Sequence, residues 1–164
     1  MGVVTFEGQI ELPIAATKIF KMISEPEIYI PKVLPGFVKS FENLQGDGGP
    51  GTVRQFTFPE GSQYSHVKET VDVVDKENFI FQYTVIGGDP ALIDTSIVEK
   101  LCCQVKFEIS PDGRTICKRN SKAYTIDGVE VKEEEIRATL ENATQVFFQV
   151  LKLEEAYALA NPDI

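Results

Sequence analysis

Apolar and polar residues alternate from Val3 to Leu12, with Val4, Phe6, Gly8, Ile10 and Leu12 on one parity, and Pro13 ends the run. Strict alternation puts successive side chains on opposite faces of an extended chain, so this segment predicts a half-buried strand. The period then lengthens. Within residues 15–24, Ala16, Ile19, Phe20 and Ile23 fall at helical spacing; Pro26 opens a second short helical segment to about Val33, closed by Pro35-Gly36.

From Phe37 to Tyr124 alternation returns, punctuated by GDGGPG, PEGS, DKEN, GGDP and SPDG. Such clusters are turn chemistry, and they divide the text into strands near residues 37–45, 52–59, 63–75, 78–87, 96–109 and 114–125. Short turns join antiparallel neighbours, whereas parallel pairing needs long crossovers, so with the first strand the pattern predicts a meander of about seven strands. From about Val131 to Ala160 there is no Gly or Pro, and Ile136, Leu140, Ala143, Phe147 and Val150 mark one helical face, widened by Val146, Leu153 and Tyr157. About 30 residues at 1.5 Å each make a helix of roughly 45 Å. Glu133, Glu134 and Glu135 suit its positive N-terminal end, and Asn161-Pro162 stops it.

The predicted fold class is α+β. A seven-stranded curved antiparallel sheet grips a long C-terminal helix, and two short helices lie between the first and second strands. A curved sheet around a single helix has more concave surface than that helix fills, so an internal hydrophobic cavity is expected. Empty cavities cost stability, and a fold that keeps one is expected to hold something in it.

Composition narrows the function. With 164 residues, 43% hydrophobic and 25% charged, the chain reads as one domain, 1–164, of ordinary globular make-up. It contains no apolar run of membrane-spanning length. The start MGVVTFEGQIELP lacks the basic and apolar parts of a signal peptide, and Phe6 stands where a myristoylation motif wants Ser or Thr. The expected location is the cytoplasm, with no membrane partner. A net charge of -9 argues against DNA or RNA as a tight partner. Cys102, Cys103 and Cys117 form no CxxC pair and join only one histidine, His66, so no metal and no other cofactor is expected. Nothing in the pattern calls for an obligate interface, and a monomer is expected.

Strand parity picks out a candidate interior. If Tyr83 points inward, so do Phe79, Phe81 and Val85; Arg54, Phe56 and Phe58 share a face; and Leu101, Cys103, Val105 and Phe107 oppose the mostly polar Lys100, Cys102, Gln104 and Lys106. Ile23, Ile30 and Val38 are placed to close one end, with Leu140, Val146, Phe147 and Val150 as a helical lid. Tyr83, Glu69, Asn120 and His66 are the polar groups expected to orient a ligand. The loop Gly46-Asp47-Gly48-Gly49-Pro50-Gly51 fits GxxxxG of a phosphate loop, but Thr52-Val53 replaces the required Lys-Ser/Thr and strands flank it on both sides. It reads as a rigid turn with several positive φ angles.

That loop, together with Pro31-Lys32-Val33-Leu34-Pro35, Glu42-Asn43, Phe58-Pro59-Glu60-Gly61, Val71-Asp72-Val73-Val74-Asp75, Asn78-Phe79, Tyr83-Thr84-Val85-Ile86 and Ala160-Asn161, resembles the plant pathogenesis-related class 10, or major birch-pollen-allergen-like, family. The match runs in register from Gly2 to Asn161, with a C-terminal helix about one turn longer than in birch-type members. The resemblance implies the helix-grip fold and intracellular binding of small hydrophobic or amphipathic plant ligands, such as flavonoids, cytokinins or other hormone-like molecules, in defence. It also implies alternatives. Ribonuclease chemistry would fall to Arg54, Glu99, Glu155 and Tyr157. A norcoclaurine-synthase-like alkaloid condensation would use Lys118 as base, and an abscisic-acid-receptor-like sensor would present a surface to a phosphatase.

Overall fold

In a computed structural model that describes residues 2–164, the elements follow in the order β1 (Val3–Leu12), α1 (Ala16–Ser24), α2 (Pro26–Val33), β2 (Ser40–Gln45), β3 (Val53–Thr57), β4 (His66–Asp75), β5 (Ile80–Gly88), β6 (Val98–Ile109), β7 (Thr115–Thr125) and α3 (Glu133–Ala160). The strands form one antiparallel sheet in the order β1-β7-β6-β5-β4-β3-β2. Consecutive hairpins build the run from β2 to β7, and β1 returns to pair with β7 over its whole length, from Val3 opposite Tyr124 to Leu12 opposite Thr115. No helix among the described residues is long and apolar enough to cross a membrane.

The sheet bends because its ladder is interrupted. Register shifts lie between Asn43 and Gln45, between Lys68 and Glu69, between Val71 and Val73, and between Val98 and Lys100. Each extra residue on one strand kinks the pair and tightens its twist, which turns a flat ribbon into a trough.

Element ends differ from the sequence-based expectation where hydrophobicity and hydrogen bonding part company. Phe37 and Val38 both donate their N–H to Leu34 O, in a turn that follows α2, so β2 begins only at Ser40. The segment before β4 is held in a turn by Ser62 N–H on Pro59 O, and β4 starts at His66. Phe79 sits before β5 at φ 55, an uncommon conformation for a bulky residue, with its ring edge-on to Phe20.

The 28 residues of α3 span about 42 Å. Its buried positions are Ile136, Leu140, Thr144, Phe148, Leu151, Glu154 and Ala158. Leu153, expected to widen the inner face, is 43% exposed. The spacing of three and four residues is kept, but the helix is rotated so that Thr144 and Glu154 enter the stripe and Leu153 leaves it. Close approach of α3 to the sheet depends on Gly8 of β1, where a Cβ would stand 3.0 Å from Thr144 Cγ2 and 3.3 Å from the Phe148 ring. Gly8→Val is therefore expected to overpack this seam and lower stability by about 1–3 kcal/mol, read as a reduced urea midpoint with unchanged slope.

Packing is densest on the β1–β7–β6 side, where Leu12, Ile19, Met22, Val105, Phe107, Leu140 and Leu151 are fully buried. Phe20 meets Phe107 edge-on and anchors α1 there. On the other side Ile30, Leu34 and Val38 form a small separate cluster with Phe56, Phe58 and Val150 around it. Between the two lies a space that side chains do not fill.

Candidate functional site

The space is a cavity of about 190 Å³ between the concave sheet and α3. Alternation along each strand decides which side chains reach it. β3 contributes Arg54 and Phe56, with Phe58 just beyond; β4 contributes Val67 and Glu69; β5 contributes Phe81, Tyr83 and Val85; β6 contributes Leu101, Cys103 and Val105. Ile23 of α1, Ile30 of α2 and Val38 of the following turn close one end, and Leu140, Ala143, Val146, Phe147 and Val150 cover it from α3. Arg54, Phe56, Phe58, Phe81, Tyr83, Val85, Leu101, Cys103 and Val105, grouped by strand parity, thus share the sheet wall of the cavity.

Two expected polar groups are not on that wall. Asn120 faces outward and donates to Glu7 Oε1 on β1 at 2.8 Å, because its neighbours Arg119 and Ser121 take the inward positions of β7. His66 faces away from Val67, which lines the cavity, and its Nδ1 lies 2.9 Å from Ser65 Oγ at the surface. In their place come Arg119, Ser121 and Glu154, none of which the sequence reading singled out. The pairing of β6 with β7 could have found two of them. Cys103 stands opposite Ser121 and Val105 opposite Arg119, and directly opposed residues share a face.

Two polar clusters result. In the first, Arg54 Nε donates to Glu69 Oε1 at 2.7 Å and Nη2 lies 2.6 Å from the same oxygen, with both side chains under a tenth exposed. The guanidinium also lies against the rings of Phe56 and Phe81 at 5.2 and 5.1 Å. In the second, Arg119 Nη1 donates to Ser121 Oγ (2.7 Å) and Thr144 Oγ1 (2.6 Å), while Nη2 donates to Tyr83 Oη (3.0 Å) and more weakly to Cys103 Sγ (3.5 Å). Thr144 completes its own bonding by donating to Leu140 O. Phe147 lies 5.2 Å from the guanidinium, and Arg119 Nε is buried without an acceptor.

Burial sets the protonation states. It holds the Tyr83 phenol well above its ordinary value despite the opposing pull of Arg119, and it raises the Cys103 thiol in the same way. Burial alone pushes the Glu154 carboxyl up to about 8, and its Oε1 has no hydrogen-bond partner. At neutral pH the wall therefore presents a phenol, a thiol, a mostly protonated carboxylic acid, one ion pair and one guanidinium.

The residues of the alternative chemistries do not converge. Arg54 is inside, Glu99 is exposed, and neither Glu155 nor Tyr157 lines the cavity; Glu155 instead pairs with Lys152 at 2.9 Å and Tyr157 packs edge-on against Tyr29. Lys118 is half exposed on the outer face of the sheet, 2.8 Å from Glu108 Oε2, so it is not the buried base that an alkaloid-forming site would need. Strand parity is the reason, since Cys117 and Arg119 on either side point inward.

The glycine-rich loop joins β2 to β3. Gly46, Gly48 and Gly51 have positive φ, and at Gly46 a Cβ would stand 2.7 Å from Thr52 Oγ1 and 2.8 Å from Thr52 Cα. Three of its amides are consumed internally: Gly48 N–H on Thr52 Oγ1, Gly49 N–H on Asp47 Oδ1, and Gly51 N–H on Val71 O. They are not free to cradle a phosphate. Cys102, Cys103 and Cys117 are free thiols, and among the described residues no three His, Cys, Asp or Glu side chains cluster as a metal site.

Comparison with known proteins agrees with this architecture. The profile of the Pathogenesis-related protein Bet v 1 family matches residues 1–151. The major allergen Pru ar 1 of Prunus armeniaca is 46% identical over 164 residues, covering 99% of this chain and 98% of that protein. The major pollen allergen Bet v 1-C of Betula pendula is 42% identical with the same coverage. Among solved structures, Ara h 8.0201 superposes with a TM-score of 0.77 at 29% identity, covering 98% of this chain and all of that one. Norcoclaurine synthase from Thalictrum flavum, in complex with dopamine and hydroxybenzaldehyde, gives 0.74 at 20% identity over 98% of this chain and 88% of that one, which speaks to the shared fold alone. With the family model matching residues 1–151 and relatives above 40% identical along almost the whole chain, the chain belongs to the Bet v 1 family of pathogenesis-related proteins.

Proposed function

We propose that this protein is a container: it holds one or two small, mostly apolar molecules in the cavity under α3 and releases them chemically unchanged. The supporting observation is a 190 Å³ space walled by aliphatic and aromatic side chains and interrupted by only a few buried polar groups. An unfilled space of that size costs on the order of a few kcal/mol, which a ligand recovers. Burying about 300 Å² of apolar ligand surface contributes roughly 7 kcal/mol before the costs of association are subtracted. Flavonoids, cytokinins and other hormone-like plant molecules are the candidate cargo, and the cytoplasm is the proposed site of action.

Catalysis is the weaker reading. General acid–base chemistry needs paired groups that exchange protons near neutrality. Burial keeps the Tyr83 and Tyr64 phenols and the Cys103 thiol protonated, the Glu69 carboxylate is taken up by Arg54, and guanidinium groups do not give up their protons, which leaves Glu154 alone.

Native mass spectrometry of the protein incubated with a pool of flavonoids, cytokinins and alkaloid precursors, followed by analysis of what is released, tests the proposal. Intact molecules recovered at one or two per chain are the expected result. Altered products would replace the container with an enzyme, and absence of any bound species would remove the cavity from consideration.

A further inference from the structure

The charges on the cavity wall do not cancel. Four of its lining residues bear a guanidinium or a carboxyl group: Arg54, Glu69, Arg119 and Glu154. Arg54 and Glu69 neutralise one another in direct contact. Arg119 has no such partner; its four hydrogen bonds end on two aliphatic hydroxyls, a phenol and a thiol. Neutral acceptors solvate a guanidinium but leave its charge uncompensated, and a buried charge without a counter-charge is costly. Glu154 does not supply that counter-charge. Thr144, which meets Arg119, and Glu154 are ten residues apart on α3, about 15 Å of helix, and no cation contributes to the state of Glu154.

The acceptors of Arg119 are also donors in waiting. The oxygens of Tyr83 and Ser121 each accept from the guanidinium, and both side chains line the cavity; the other partner of their hydroxyls is the Cys103 thiol, a weak acceptor that a bound carboxylate outcompetes for the hydroxyl hydrogens. A hydroxyl that accepts from a cation is polarised and donates more strongly. Two such hydroxyls with a guanidinium behind them form a site complementary to a carboxylate. The surroundings, Phe147, Val146, Leu101 and Val85, suit an apolar body rather than a second polar group.

Building on the container reading, we infer that the cavity selects amphipathic acids: Arg119, Tyr83 and Ser121 seat the carboxylate of the ligand, and its apolar body extends beneath α3. A neutral ligand of equal size leaves the guanidinium uncompensated and binds less well.

The matched pair biphenyl-4-acetate and biphenyl-4-acetamide tests this by isothermal titration at neutral pH, where the two differ chiefly in charge. The wild-type protein is expected to bind the acid about tenfold or more tighter than the amide. Arg119→Met should bring that ratio close to unity, Arg119→Lys should keep part of it, and Tyr83→Phe should reduce it by roughly three- to tenfold. Because the ratio is measured first on the wild-type protein, and Tyr83→Phe removes a single oxygen, the outcome does not hang on how well the Arg119 variants fold. Equal binding of acid and amide by the wild-type protein would overturn the anion seat and leave the container reading intact. Acid preference that survives both Arg119→Met and Tyr83→Phe would place the anion elsewhere and overturn the assignment. Failure of both compounds to bind would count against the container reading itself.

Discussion

Glu154→Leu is expected to raise the melting temperature, and to raise it more at pH 8.5 than at pH 5. Glu154 lies within the inner stripe of α3, almost wholly buried, with one carboxyl oxygen lacking any partner. Burial pushes its pKa from the ordinary 4.5 up to about 8. The folded protein thus holds a proton there that the unfolded chain releases, and stability falls wherever the folded state is the more protonated. The contribution of the protonated carboxyl is fully present below about pH 4.5 and is lost as pH rises through about 8. Removing the group abolishes this loss and also removes an unsatisfied polar atom, together worth on the order of 1–3 kcal/mol at neutral to alkaline pH. For a chain of this size that corresponds to a rise of roughly 3–10 °C. Glu154→Gln separates the two effects. It should match the wild-type protein near pH 5 and exceed it at pH 8.5, and a difference between the two that stays flat across that range would show that Glu154 does not titrate as its burial requires.

The same glutamate shows where sequence reading stops. Periodicity in apolar residues finds α3 easily, but it ranks Leu153 above Glu154 because transfer preference is all it can weigh. Rotation of the helix about its axis is set by contacts distant in sequence, above all by Gly8, whose missing side chain lets Thr144 and Phe148 approach β1. Strand parity is stronger evidence, since a one-residue error flips a side chain to the opposite face. Alternation groups Arg54 with Phe56, Phe81 with Tyr83 and Leu101 with Cys103, and all six line the cavity. Asn120 is polar and looks suitable in isolation, but the register of β6 carried across the SPDG turn into β7 puts it on the outer face. That register runs from Ile109 opposite Thr115 to Val105 opposite Arg119, and it places Arg119 inside. A long charged side chain in a strand otherwise reads as surface, so hydrophobicity would never nominate it. The exact volume of the cavity was beyond reach for a different reason, because it depends on bulges such as that between Val71 and Val73, which only the paired strands reveal.

Glu69→Ala should be the most destabilising single change on the cavity wall. Arg54 and Glu69 are directly opposed on β3 and β4, so the strands themselves set their approach, and neither side chain has appreciable access to solvent. Taking both charges out of water is expensive, and their mutual attraction offsets that expense only while both are present. Removing the carboxylate leaves the Arg54 guanidinium buried between Phe56 and Phe81 with nothing to balance it, at an expected loss of about 3–5 kcal/mol and on the order of 10 °C in melting temperature. Replacing both partners gives a different answer. Arg54→Met combined with Glu69→Leu removes the desolvation penalty along with the attraction, so the double variant should be markedly more stable than Glu69→Ala and close to the wild-type protein. Urea denaturation of the two variants decides the point. A loss below about 1 kcal/mol for Glu69→Ala would mean that water reaches the pair and that this wall is wetter than its burial indicates. The pair also governs what the cavity can hold. While it is intact, the net charge of the wall at neutral pH rests on Arg119 together with the minor ionised fraction of Glu154, and one carboxylate satisfies it. Once Glu69 alone is gone a second guanidinium faces the same space, whereas the double variant leaves the net charge of the wall as it was.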